Sequence, residues 1–158
     1  MENSAQINTE LEKRYRATAF VISGQIVLTI VFIIAAWLMA PDLQTKPAAS
    51  NDLMTLWVGA LFIAIGTFVL RRMLFRWDRL RDIVLLKGVT GLLKDLQKNA
   101  ILLGSMTELI AVIGFVVVLM SGNQYEMLRA GAIALIVFLI NFPRKAVWKK
   151  IVANLSGI

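Results

Sequence analysis

The chain has 158 residues, 58% of them hydrophobic and 17% charged, with no cysteine, no histidine and a formal net charge of +7. Its uncharged apolar runs are long enough to cross a bilayer, which excludes a water-soluble globule built around one core. The missing cysteine and histidine exclude disulfides, thiol nucleophiles, thiolate or imidazole metal sites, His-ligated haem and histidine general bases, and leave the redox compartment unread.

Residues 1–16 form a polar arm in which Glu10/Arg14 and Glu12/Arg16 stand at helical spacing, so the arm is predicted to extend the first span. That span, about 17–40, reads ATAFVISGQIVLTIVFIIAAWLMA; it is too long for a signal-peptide core and is read as retained. Pro41, Pro47 and small polar residues mark a short loop. A second span, about 53–75, runs into RRMLFRWDRLRD, which opens a basic segment, 76–101, with helical periodicity on both sides of KGVTG at Lys87–Gly91. The third span, about 102–122, is joined by SGNQYE to the fourth, about 127–142, which Pro143 ends. In the tail, 143–158, Val147, Trp148, Ile151, Val152 and Leu155 share a face beside Lys149 and Lys150, the pattern of an interfacial helix on an anionic inner leaflet or of a partner contact.

Fifteen of the seventeen basic residues lie in the arm, the 76–101 region with its flanking arginines, and the tail; Lys46 and Arg129 are the exceptions. The positive-inside rule then puts both termini in the cytoplasm. Trp57 and Trp77 stand about 30 Å of helix apart, with Trp37 and Tyr125 toward the outer rim and Tyr15 and Trp148 toward the inner. The expected fold is all-α: one multi-pass domain of the inner (plasma) membrane, a four-helix bundle whose second and third spans form a long antiparallel hairpin.

The third span carries one acid, Glu108, in SMTELIAVIGFVVVLM. An ionised side chain in hydrocarbon is costly, so such a group is protonated, paired or facing water. A hairpin turn centred near Val89 and Thr90 would bring Glu108 level with Arg71 and Arg72, and Gln25 of the first span would lie at similar depth. Gly104, Ser105 and Ala111 share the face of Glu108 and Gly114 follows, small residues that favour close helix packing. The first span offers a stripe of Thr18, Gln25 and Thr29, although threonine in a helix also bonds its own backbone. Ala60/Ala64 and Ala130/Ala134 are further small pairs.

The segment Glu108 to Val116, ELIAVIGFV, resembles the carboxylate helix of the proteolipid (c-subunit) family of rotary ATP synthases, with Gly114 six positions after the acid. The resemblance implies that Glu108 carries a proton or sodium ion with Gln25 assisting, in an oligomer. The chain differs from that family in having only Gly59 and Gly66 in span two, a longer and more basic connection, and no acid in span four.

No catalytic constellation, metal cluster or cofactor motif is visible. The basic segment reads as a solvated face, an anionic headgroup contact or a docking site for a soluble partner; no nucleic-acid recognition fold accompanies it. The expected function is that of a non-enzymatic structural or accessory subunit, with membrane-protein partners or further copies of itself, in which Glu108 pairs with Arg71 or Arg72. The alternative is the ion-carrying proteolipid-like subunit.

Overall fold

The computed structural model describes residues 4–43 and 50–155; most of the loop after Pro41, including Lys46 and Pro47, and the last three residues of the tail lie outside them. Five helices follow in order: α1 (Ser4–Met39), α2 (Ser50–Leu74), α3 (Trp77–Ser121), α4 (Gln124–Asn141) and α5 (Lys145–Leu155). Arm and first span form the one helix α1, closed by a short 3-10 turn containing Pro41. Ion pairs Arg14–Glu10 (2.6 Å) and Arg16–Glu12 (2.9 Å) link successive turns of its start. Four helices are long and apolar enough to cross a membrane, consistent with a multi-pass membrane protein.

These helices make an all-α bundle in which α3 packs against α1, α2 and α4, and its contact with α2 is that of a hairpin. Two features shape the joint. The first is a break at Phe75 and Arg76, where Arg76 is extended (φ −66°, ψ 136°) with no side-chain cap. In one continuous helix Phe75 and Leu80 would point about 140° apart; with the break, both reach the same core. The second is Gly88, at φ 68° and ψ −178°, a backbone state that is essentially glycine-only. Here α3 folds back, so that Arg79 and Asp95 meet at 3.6 Å across the turn. At the far end Gly122, in the left-handed region, closes α3, and the Asn123 side chain accepts a hydrogen bond from the Tyr125 backbone N–H (3.1 Å) to start α4.

Two cores result. At the basic end Leu11, Leu80, Leu92, Leu93, Leu96 and Trp148 are buried together. At the opposite end the buried cluster contains Ala36, Ala60, Ala64, Ala111 and Ala134. Of the face expected to be interfacial in the tail, Trp148, Ile151, Val152 and Leu155 of α5 are buried against the protein, while Val147 stays exposed. The folded-back part of α3 and the start of α1 provide the apolar partner that the tail sequence alone does not reveal.

Candidate functional site

The candidate site is the seam between α1 and α3 within the apolar runs. Thr18, Ile22, Gln25 and Thr29 follow one another at three- and four-residue steps on one face of α1. Thr18 and Thr29 are fully buried. On α3, Gly104 and Ser105 stand four and three residues before Glu108, on the side of the helix that carries it. Thr29 Oγ1 donates to Glu108 Oε2 at 3.0 Å, and Gln25 Nε2 donates to Ser105 Oγ at 3.3 Å. A Cβ at position 104 would collide with Gln25 Oε1, so glycine is what lets the amide lie against α3. Thr18 instead bonds back to the Arg14 carbonyl (2.7 Å), as Thr67 does to Ile63 and Thr107 to Leu103.

The expected pair of Glu108 with Arg71 or Arg72 does not form. Among the described residues no fully buried charged side chain makes an ion pair, and the partly buried Lys145–Glu12 bridge lies at the basic end. Arg71 Nη1 donates to the Ile140 carbonyl and, at 3.4 Å, to Asn141 Oδ1, while Arg72 is exposed. The reason is register and facing. Folding back at Gly88 puts Arg71 in a cleft with Ala100 and Leu103, between one and two turns short of Glu108, and Glu108 turns toward α1 while Arg71 turns toward the end of α4. With the pair gone, the accessory-subunit reading that rested on it falls too.

The small residues divide between two interfaces. Gly104 meets α1, whereas Gly114 meets α4, where an added Cβ would run into Ala130. Ala111 is fully buried in the alanine-rich core, and Ser105 is exposed at the outer edge of the seam. Thr29, the actual partner of Glu108, was legible only as part of the α1 stripe; nothing local distinguishes it from Thr18.

Two acceptors in the seam are left over: Glu108 Oε1 and Gln25 Oε1 are buried without a hydrogen-bond partner. Glu126, by contrast, accepts from Trp57 Nε1 (3.0 Å), Asn123 Nδ2 (3.3 Å) and Arg129 Nη1 (3.2 Å). Among the described residues no group of three acidic side chains stands close enough to hold a metal ion. The seam therefore holds two more acceptors than the donors around them in this chain satisfy. Comparison with protein-family models, with curated proteins and with solved structures gave no match, and so no link to the proteolipid family.

Proposed function

We propose that the chain is a non-enzymatic multi-pass protein of the inner (plasma) membrane, with both termini in the cytoplasm, which recognises a transmembrane helix of another chain through the α1–α3 seam. The observation that carries this reading is the unpartnered Glu108 Oε1, inside the third apolar run and one turn from exposed Ser105. A polar group left unsatisfied in hydrocarbon is costly, and side chains from neighbouring helices are the usual remedy. With the Arg pair removed, a donor from outside the chain answers both Glu108 and Gln25. The charge asymmetry of the loops supports the orientation, and the four apolar helices support the membrane location.

The seam is tested with a photo-crosslinking residue at Ser105, compared with one at Phe62, an outward residue of α2 that is 78% exposed. In native membranes Ser105 should yield a protein adduct and Phe62 lipid adducts alone. Lipid adducts alone at both positions would refute the seam. Orientation is read separately from Asn51→Cys and Asn154→Cys, which should label from opposite sides of the membrane.

A further inference from the structure

A second feature lies away from the seam. Where α2 ends and α4 passes into α5, a cleft of about 640 Å³ opens among Arg71, Arg144 and Lys150. No carboxylate lines it, so no acid opposes the three cations there, and Arg144 stands near enough to Arg71 for like-charge repulsion. Asn141, 8% exposed, also lines the cleft. Arg71 takes its Oδ1, and its Nδ2 is buried with no acceptor. The site thus presents cations and an unfilled N–H donor together, the complement of a phosphate oxygen cluster. Pro143 and Arg144 of the cleft immediately precede α5, whose start adds the positive end of a helix dipole.

We infer that this cleft binds the phosphate headgroup of an anionic phospholipid from the cytoplasmic leaflet. The inference rests on the membrane orientation proposed above. The occupant is a lipid and not a free phosphate because the same cleft is apolar on its other walls: Phe75, Leu103, Ile140 and Val147 line it. Trp77, half exposed at its rim, has the amphipathic ring favoured at headgroup depth. Basic pockets between membrane helices on the cytoplasmic side bind lipid headgroups by this combination of charge and apolar wall. Arg71 holds the end of α4 while facing the cleft, so lipid binding would also tighten the joint between α2, α4 and α5.

The test uses the full chain purified in a mild neutral detergent, with native mass spectrometry reading retained lipid. Phosphatidylglycerol should be retained at one molecule per chain and phosphatidylcholine should not. The double variant Arg144→Gln/Lys150→Gln, both of whose positions are exposed, should lose at least tenfold in retention. The charge-keeping Arg144→Lys/Lys150→Arg should restore it, and Lys94→Gln/Lys98→Gln should retain lipid as the unaltered chain does. Equal loss in the Lys94/Lys98 variant would show charge attraction without a site and overturn the inference. Inorganic phosphate at millimolar concentration should neither displace the lipid nor raise thermal stability; protection by phosphate equal to that by phosphatidylglycerol would overturn the lipid assignment. Alkaline carbonate extraction of native membranes keeps the two proposals apart: a chain that stays with the membrane pellet yet retains no phosphatidylglycerol refutes the cleft alone, and a chain that is extracted refutes the membrane reading beneath it.

Discussion

The same two helices, α1 and α3, run through both cores, and they are packed differently at the two ends. At the basic end they carry leucines and an isoleucine into an interior shared with Trp148 of α5; at the other end alanines, Gly114 and a few aliphatics bring the backbones close. In the proposed bilayer this difference has a physical cause. Water surrounds the basic end and drives large apolar groups together, whereas hydrocarbon surrounds the other end and gives no such drive. There, association relies on close van der Waals contact and on interhelical hydrogen bonds such as Thr29 to Glu108. The outward faces agree, for Phe20 (82% exposed) and Phe62 (78% exposed) stand where lipid would cover them.

The contrast predicts its own failures. Trp148→Ala removes the largest buried side chain of the basic end and should cost about 3–5 kcal/mol, read as lost hydrogen-exchange protection of α5 and a lower unfolding midpoint. A loss near zero would mean that α5 is held by the lipid surface and not by this core. At the alanine-rich end the sensitive direction is enlargement. Gly114→Val should force α3 away from Ala130 and cost about 1–3 kcal/mol by steric trapping in bilayers, and a neutral result would show that the close approach is dispensable.

At the fold-back of the basic end, Gly88→Ala isolates backbone geometry, because an added Cβ would meet open space. The penalty, about 1–3 kcal/mol, should appear as faster hydrogen exchange in residues 77–87 with the rest of the bundle unchanged. Uniform destabilisation would mean that the turn organises both cores. Glu108→Gln should be milder still, under about 1 kcal/mol in thermal unfolding, since glutamine keeps an acceptor for Thr29 and no cation is stranded. A penalty of several kcal/mol would reveal a counter-charge from outside the chain. Smallest is Phe62→Ala on the outward face of α2, expected within about 0.5 kcal/mol, with purified chain in bilayers as the comparison for Trp148→Ala.

The seam was half legible. The α1 stripe and the small residues beside Glu108 are spaced in sequence as they must be to face each other, but Gln25, expected level with Glu108, bonds Ser105 and lies on Gly104 instead. What local pattern could not supply was which threonine reaches across, because Thr18 and Thr29 have the same chemistry and differ only in what stands opposite. Nor could it supply the cleft. Asn141, Arg144 and Lys150 look like a helix end and a solvated tail, and only the return of α5 onto the bundle brings them to Arg71.

Composition and patterning alone determined the all-α class, the four apolar helices, the stop at Pro41 and the turn in KGVTG, because span length, proline and glycine act locally on a backbone. The tertiary structure decided the break at Phe75 and Arg76, where no proline or glycine gives warning and the reward is burial of Phe75 and Leu80 in one core. It also decided the fate of Glu108. Counting residues across a hairpin fixes depth only if the helices are continuous, and it says nothing of which neighbour a side chain faces; the break, the fold-back at Gly88 and the packing of α1 turned that acid from an arginine to a threonine.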